Sequence, residues 1–252
     1  MELTEKVILV TASTRGIGLA IVRKCAAEGA QVYMAARDME RAQKIADTLN
    51  GVKCVYNDAT KAETFTSMVE EVVLNAGRID VLVNNFGTSN PGKDLDFANT
   101  DPQVFLDTVN LNLRSVFLAS QAAVKYMEKD GGSIINISSS RDRMSQPQTE
   151  SYTAAKGGIA ALTHGLAVSL AGKIRVNSIS PGWIDTAYTL YEGPDAYQQP
   201  AGRVGNPLDI ANMVLFLCSD KAGFITGENI CIDGGQTKLM IYHGDHGWTL
   251  ES

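Results

Sequence analysis

The 252-residue sequence predicts an α/β fold built on one parallel sheet, and three observations support this prediction. Short apolar runs recur along the chain, segments of helical character separate them, and the first connection is a tight turn containing glycine. Strands and helices that alternate in this way form a parallel sheet with right-handed crossovers. Because no low-complexity linker interrupts the alternation, a single doubly wound domain accounts for residues 1–252.

Seven apolar runs are predicted to be the strands. The first spans residues 7–10 and is uniformly apolar, as expected of a strand buried on both faces. The others are residues 31–36, 52–56, 81–83, 133–138, 175–179 and 228–232. Parallel strands end at one edge of their sheet, so that edge is the expected position of a ligand site.

The segments between the strands are predicted to be helices that flank the sheet. They comprise residues 19–28, 38–50, 62–75, 102–127, 152–171 and 208–219. Residues 102–127 look like one long helix with room for a kink, and residues 236–252 form an additional tail.

Tyr152 and Lys156 stand four residues apart and would share one face of their helix. A neighbouring ammonium favours the phenolate over the phenol, whose reference pKa is ~10, so this pair can exchange protons. Ser139 is predicted to end a strand, where its hydroxyl could bond a substrate oxygen. Many helices carry Tyr and Lys at this spacing without a chemical role, so the pair alone does not establish catalysis.

Composition excludes several function classes. A net charge of −6 disfavours nucleic acid or an anionic membrane as the main partner. No run approaches the roughly 18 apolar residues of a membrane span. The four cysteines are scattered and interpreted as reduced structural residues: Cys25, Cys54, Cys218 and Cys231. His243 and His246 are conceivable metal ligands, but no metal site is expected, and the balance favours a cytoplasmic protein acting on small molecules.

Several spaced motifs follow one another in a specific order. They are the glycine-containing first turn, Asp58, Asn84-Asn85-Phe86-Gly87, Asn112, Ser139, Tyr152-x-x-x-Lys156 and Pro181-Gly182. This ordered set resembles the short-chain dehydrogenase/reductase family, over nearly everything from Lys6 to Gly235. The resemblance implies a Rossmann fold, a homotetramer, and interconversion of a secondary alcohol and a ketone. Residues 66–87 are also similar to clostridial bile-acid hydroxysteroid dehydrogenases.

The resemblance implies catalytic roles by position. Tyr152 would be the general acid/base, Ser139 would orient the substrate oxygen, and Lys156 would hold the nicotinamide ribose. Asn112 would hold a water that relays protons to Lys156. Asn110 is the competing choice, but the family pattern places the functional residue directly before Leu-x-x-x-Phe, which favours Asn112.

The resemblance also implies a cofactor-binding set. Asp58 would contact the adenine, with helix or turn capping as the alternative, and Ile184 and Thr186 would lie near the nicotinamide carboxamide. The full set is Ser13, Thr14, Arg15, Ile17, Arg37, Asp58, Asn85, Gly87, Tyr152, Lys156, Pro181, Gly182, Ile184 and Thr186.

The end of the second predicted strand favours NADP(H). NAD enzymes of this architecture tend to place a carboxylate there for the ribose 2′-hydroxyl, but this chain has Ala36 followed by Arg37. Arg15 in the first turn supplies a second guanidinium that could bind a 2′-phosphate. The alternative is that both arginines are solvated, with Asp38 neutralising Arg37.

Two positions depart from the family pattern. Ala12 replaces the first glycine of the turn, and we predict that it keeps a negative φ because alanine resists the left-handed region. Phe86 replaces a small residue and either faces the substrate or belongs to the core.

The substrate loop is expected at residues 187–203, where aromatic and apolar residues favour a moderately large apolar ring system. Arg141 or Arg143 could meet an anionic substrate group, although a surface Arg141–Asp142–Arg143 cluster is the favoured interpretation. The tail is expected to bury Ile241, Tyr242 and Trp248 across a subunit boundary. Alternatives to a hydroxysteroid dehydrogenase are a 3-oxoacyl-carrier-protein reductase, a sugar or polyol dehydrogenase, and a non-catalytic NADP(H)-binding regulator.

Overall fold

A computed structural model of the chain describes residues 3–89 and 93–240. It contains a seven-stranded, all-parallel sheet in the order β3-β2-β1-β4-β5-β6-β7, which confirms the predicted fold class. The strand order reverses between β1 and β4, and a crevice therefore opens at their carboxyl ends. The strands are β1 (Val7–Thr11), β2 (Gln31–Ala36), β3 (Val52–Tyr56), β4 (Val81–Asn84), β5 (Gly132–Ile137), β6 (Ile174–Pro181) and β7 (Asn229–Ile232).

Helices cover both faces of the sheet. They are α1 (Gly16–Ala27), α2 (Met39–Ala46), α3 (Glu63–Ala76), α4 (Pro102–Val109), α5 (Ser115–Met127), α6 (Glu150–Ser169), α7 (Pro194–Tyr197) and α8 (Pro207–Cys218). Short 3₁₀ turns occupy Ser140–Asp142, Asp220–Ala222 and Gln236–Lys238. Within the described part of the chain, no helix combines the length and apolar character needed to cross a membrane. The predicted tail contacts of Ile241, Tyr242 and Trp248, like the two tail histidines, lie outside the described residues.

Two apolar layers hold the helices against the sheet. On one face, Ile21 of α1 and Val214 of α8 pack on β1 and β2, and on the other, Phe65 and Met68 of α3 belong to the opposite layer. All four side chains are almost fully buried. Burial of a side chain of this size contributes roughly 1.5–3 kcal/mol, so the layers fix the strand ends that carry the polar site residues.

The single long helix expected at residues 102–127 is interrupted by a π turn at Asn110–Arg114. The Asn112 amide donates to the Thr108 carbonyl (2.9 Å), and the Ser115 hydroxyl donates to the Leu111 carbonyl (2.7 Å). Side chains that enter the helical hydrogen-bond ladder widen it locally. The π turn therefore contains Asn112, which the sequence analysis assigned to the functional site, and π turns are often found at functional sites.

The prediction for Ala12 was wrong, because its φ is +50°. The Asn85 amide donates to the carbonyls of Thr11 (3.1 Å) and Ala12 (3.0 Å), so bonds from β4 fix the direction of the turn. Gly18 approaches the same carbonyl so closely that an added Cβ would lie 2.8 Å from the Ala12 oxygen. Tertiary contacts therefore override the preference of alanine for negative φ.

We expect Ala12→Gly to stabilise the protein by about 0.5–1 kcal/mol, because glycine adopts positive φ without steric cost. Equilibrium unfolding in urea measures the change. A matched control is Ala161→Gly at an exposed position inside α6, where loss of helix propensity should destabilise by about 1 kcal/mol. Destabilisation by both substitutions would contradict the role assigned to the turn.

Candidate active site

A cavity of about 770 Å³ opens where β1 and β4 diverge at their carboxyl ends. Eight of the predicted cofactor residues line it: Thr14, Arg15, Ile17, Arg37, Asp58, Asn85, Gly87 and Thr186. Among the predicted cofactor residues, Ser13, Tyr152, Lys156, Pro181, Gly182 and Ile184 do not line this cavity. Ser13 is fully buried, and its hydroxyl lacks a hydrogen-bond partner among the described residues. The sequence prediction thus named eight residues of a longer cavity wall, which also includes Gly16, Arg41 and Thr88.

The first turn leads into α1 at Gly16, which has no side chain and lines the cavity. Gly16 begins α1 at a φ of +52°, and a Cβ added there would lie 3.1 Å from the Thr186 methyl. The amino terminus of α1 therefore opens at the cavity with unpaired N–H groups and a partial positive charge. This arrangement fits the pyrophosphate of a dinucleotide.

Three arginines line the same cavity. Arg15 and Arg37 were predicted from the sequence, whereas Arg41, in the first turn of α2, was missed. Arg41 could have been predicted from its position four residues after Arg37, because this spacing places both residues near the amino-terminal end of α2. Among the described residues, none of the three forms a salt bridge within 4 Å.

The two nearby carboxylates have local partners. Asp38 caps α2 by accepting from the Arg41 backbone N–H (3.0 Å), so the proposed neutralisation of Arg37 by Asp38 is not a salt bridge here. Asp58 accepts from the backbone N–H (3.0 Å) and hydroxyl (2.8 Å) of Thr60. These bonds, helped by the charge of Arg37, hold the pKa of Asp58 below its ordinary value. Asp58 therefore serves as a turn cap and also borders the cavity.

Ser139, Tyr152 and Lys156 meet where β5 ends and α6 begins. The Lys156 Nζ lies 5.5 Å from the centre of the Tyr152 ring and donates to the Ile137 carbonyl (3.0 Å). Ser139 follows β5, and its hydroxyl accepts from the Arg141 backbone N–H (3.2 Å). The fold thus brings together three residues that the sequence separates by up to 17 positions.

The electrostatics of this pair differ from the expectation. Burial raises the pKa of Tyr152, while the Ser139 hydroxyl and the charge of Arg141 act in the opposite direction. Lys156 is completely buried, and this burial lowers its pKa to about 8. The net pKa of Tyr152 is therefore raised, in contrast to the lowering expected from an adjacent lysine, because desolvation dominates.

Asn112 is fixed beside Lys156. Its amide donates to the Thr88 carbonyl (2.8 Å), and its Oδ1 accepts from the Thr88 backbone N–H (3.0 Å). Asn112 is fully buried whereas Asn110 is exposed, which supports the choice between them. A Cβ at Gly87 would lie 2.9 Å from the Lys156 Nζ and 3.6 Å from the Asn112 Oδ1, so a side chain there would require the Lys156 ammonium to move.

Two ambiguous positions receive a structural answer. Phe86 packs against the apolar layer around Phe65 and also lines the cavity, which supports the core interpretation, while its contact with a substrate stays a prediction. The surface interpretation of the Arg141–Asp142–Arg143 cluster is wrong for Asp142, whose side chain is only 2% exposed and bonded to Arg143. Arg141 donates a hydrogen bond to Gln146.

A doubly wound parallel sheet with such a cavity at its switch point defines a dinucleotide-binding protein. A family model described as enoyl-(acyl carrier protein) reductase matches residues 11–237. Two relatives named 7alpha-hydroxysteroid dehydrogenase are similar: one from Paraclostridium sordellii (39% identity, covering 93% of this chain and 92% of the relative) and one from Clostridium sardiniense (41%, covering 93% and 94%). A solved structure described as an apo SCOR enzyme from Clostridium thermocellum is 38% identical, covers both chains completely and has a TM-score of 0.89.

The chain therefore belongs to the short-chain dehydrogenase/reductase family, whose members are oxidoreductases that use NAD(P)(H). The residues present fit this cofactor: the glycine-lined turn leaves room for a pyrophosphate, and the arginines and Asp58 border the remainder of the cavity.

The buried lysine makes stability depend on pH. The folded-state pKa of Lys156, about 8, lies below its ordinary 10.5. Between these values the unfolded chain binds more protons, so the free energy of unfolding should rise with pH. Relative to Lys156→Met, we expect wild type to gain about 2 kcal/mol between about pH 7.5 and 9.5, measured by urea unfolding. A difference between the two proteins that is constant with pH would contradict the assigned pKa.

Proposed function

We propose that this protein is an NADP(H)-dependent oxidoreductase that interconverts a secondary alcohol and a ketone, with a hydroxysteroid-type substrate. The observation that carries the proposal is the assembly of the buried Asn112 and Lys156 with the half-buried Tyr152 and Ser139, at the same edge of the sheet as the arginine-lined cavity. A non-catalytic regulator that only binds NADP(H) would not require this assembly.

The preference for NADP(H) is argued from charge. Arg15, Arg37 and Arg41 line the cavity without a salt bridge among the described residues, and Ala36 stands where an NAD enzyme tends to carry a carboxylate. A 2′-phosphate would supply the missing negative charge, since guanidinium–phosphate contacts are charge-assisted and often bidentate. The remaining members of the predicted set would hold the rest of the dinucleotide, with Asn85 and Gly87 along the cavity and Pro181, Gly182 and Ile184 towards the nicotinamide.

The proposed chemistry assigns a separate task to each residue. When bound, the nicotinamide supplies or accepts the hydride. In the reducing direction, Tyr152 gives a proton to the substrate oxygen, and Ser139 donates a hydrogen bond that stabilises the charge developing there. Lys156 binds ribose hydroxyls, and its ammonium favours the phenolate form of Tyr152 when the two groups approach. Asn112 holds a water that returns protons to Lys156.

The substrate class is argued from the loop after β6. Trp183 and Tyr191 form an aromatic pair with ring centres 4.8 Å apart. Tyr188 and Leu190 are 62% and 85% exposed and present a large apolar area to a ligand. Such a surface suits a fused, apolar ring system, and the two relatives described above are named for a hydroxysteroid activity.

We also propose a cytoplasmic homotetramer, the location being argued from the sequence composition alone. An apolar groove of about 350 Å³ between α5 and α6 supports association through these helices. Phe117 lines this groove and is 45% exposed, and Val168 on α6 is 77% exposed. Exposed apolar helix faces of this kind are typical of subunit contacts.

Cofactor selectivity tests the charge argument. We expect wild type to bind NADPH more tightly than NADH, and Arg37→Ala to weaken NADPH binding about 10–100-fold, because one charge-assisted contact contributes about 1.5–3 kcal/mol. NADH affinity should remain unchanged. Fluorescence titration measures all four constants, and Arg23→Ala, an exposed arginine on α1, is the matched control. Equal affinities for NADPH and NADH that do not change in Arg37→Ala would contradict the charge argument and favour the interpretation of Arg37 as a solvated surface residue.

Turnover tests the catalytic assignment. Wild type should oxidise or reduce a hydroxysteroid or oxosteroid in a panel that also holds 3-oxoacyl thioesters and polyols. Tyr152→Phe should lower kcat by at least about 100-fold, because it removes the proton donor while preserving ring packing. Its NADPH affinity should stay close to that of wild type. Cofactor binding without turnover of any panel member by wild type would favour the regulator, whereas turnover of thioesters alone would replace the steroid assignment.

A further inference from the structure

A buried carboxylate lies directly behind the turn that carries Ser139. Asp142 ends the 3₁₀ turn Ser140–Asp142, and its side chain is 2% exposed. Its Oδ1 accepts from the Arg143 Nε (2.7 Å), and its Oδ2 accepts from the Arg143 Nη2 (3.2 Å), the Ser180 hydroxyl (2.5 Å) and the Asn229 amide. A single side chain therefore collects donors from β6, β7 and its own turn.

One of these donors, Ser180, adjoins the segment proposed to hold the nicotinamide. Ser180 is fully buried and directly precedes Pro181. The next residue, Gly182, donates its backbone N–H to the Ile232 carbonyl (3.0 Å), and a Cβ added there would lie 2.6 Å from the Asp233 Cβ. Close packing against the end of β7 means that a displacement of Ser180 also displaces Pro181 and Gly182.

Backbone pairing does not make the same connection. Strands β5 and β6 stay paired up to the bond from the Ser138 N–H to the Ile179 carbonyl (2.7 Å). Beyond it, within the described residues, no backbone hydrogen bond joins residues 139–143 to residues 180–186. The next connection is the hydrogen bond from Ser180 to Asp142. It joins the Ser139 turn to the segment that begins at Ser180, and the proposed chemistry depends on the relative position of these two segments.

The charge of Asp142 suits this position. Burial raises its pKa, but the hydrogen bonds from Arg143, Ser180 and Asn229 more than offset this and leave the pKa below its ordinary value. The hydrogen bond to Asp142 raises the pKa of Arg143, and the positive charge of Arg143 compensates the negative charge of the carboxylate. An asparagine at position 142 would offer only one acceptor oxygen, and its NH₂ group would face donors that now bond the second carboxylate oxygen. The connection therefore requires an ionised carboxylate.

We propose that Asp142 is a positioning residue that couples the Ser139 turn to the Pro181–Gly182 segment, and thereby sets the separation between the substrate oxygen and the nicotinamide. This inference rests on the proposed function for the roles of Ser139 and of Pro181–Gly182. The mechanical coupling can nevertheless be measured without turnover.

Hydrogen–deuterium exchange of the full chain tests the coupling. In Asp142→Asn, we expect amides in residues 139–144 and also in residues 182–186 to exchange at least about tenfold faster than in wild type. The matched control is Asp80→Asn, since Asp80 is also buried, bonds the nearby Arg78 and accepts from the Val7 N–H (2.8 Å). It lies at the opposite end of the sheet, so its substitution should accelerate exchange near residues 7 and 80 and leave both test segments unchanged.

Kinetics provide a readout that a purely structural role would not move. With a substrate that wild type turns over, Asp142→Asn should lower kcat about 10–100-fold with little change in KM, because a misplacement of this kind affects the reacting geometry. The primary isotope effect from deuterated NADPH should increase as hydride transfer becomes slower than product release. Asp80→Asn should keep the wild-type kcat and isotope effect per folded molecule.

The outcomes separate this inference from the proposed function. Faster exchange in both segments supports the coupling even when no substrate turns over, a case in which the proposed function alone fails. Faster exchange confined to residues 139–144, or loss of activity with exchange and isotope effect unchanged, overturns the coupling. If Asp142→Asn does not fold, Ser180→Ala removes one arm of the connection. It should produce the same two-segment pattern at smaller amplitude, and wild-type exchange at both segments would overturn the inference.

Discussion

The cavity depends on hydrogen bonds that tie the end of β1 to the end of β4. The Thr11 hydroxyl accepts from the backbone N–H groups of Asn85 (3.0 Å) and Phe86 (3.1 Å), and the Asn85 amide donates back to the carbonyls of Thr11 and Ala12. These bonds hold the first turn against the following α1 and direct β4 towards Gly87. Since a side chain at Gly87 would displace the Lys156 ammonium, the same contacts position both the first turn and the backbone beside Lys156.

Burial gives the site two different electrostatic regions. In the arginine-lined part of the cavity, exposed guanidinium groups create a positive field within a chain whose net charge is −6, which favours an anionic ligand at this place. Near Tyr152 the determining factor is desolvation, which lowers the pKa of Lys156 and raises that of Tyr152. The pKa of Lys156 is therefore closer to neutral pH than that of an ordinary lysine, whereas burial moves the pKa of Tyr152 further above it, so proton exchange at Tyr152 depends on positive charge placed beside it.

Sequence was sufficient for the strands and for part of the cavity wall, because buried parallel strands are uniformly apolar and their polar ends are marked by motif spacing. It failed where tertiary contacts outweigh local preference. The φ of Ala12 is set by bonds from Asn85, and the π turn depends on contacts of Asn112 that helical periodicity does not reveal. Asp142 looked like a surface charge because a charged triplet carries no information about burial. The order of the catalytic motifs was visible, but the balance of charges around Tyr152 was not.

In the proposed function, chemistry and specificity belong to two segments that are held in different ways. The Ser139 turn is tied through Asp142 to β6 and β7, whereas the loop after β6 is held at its end, where the Ala201 N–H donates to the Gly234 carbonyl (2.9 Å), and at its base. There Ile184 pairs with Gly205, and the Asp185 carboxylate accepts from the Thr189 N–H (2.6 Å). Beyond this base, Tyr188 adopts a φ of +59° and Leu190 is largely exposed. Under the proposed function, substitutions at the tip would therefore alter the surface offered to a substrate without removing the contacts of the Ser139 turn, and loops of this kind are where one scaffold accommodates substrates of different shape.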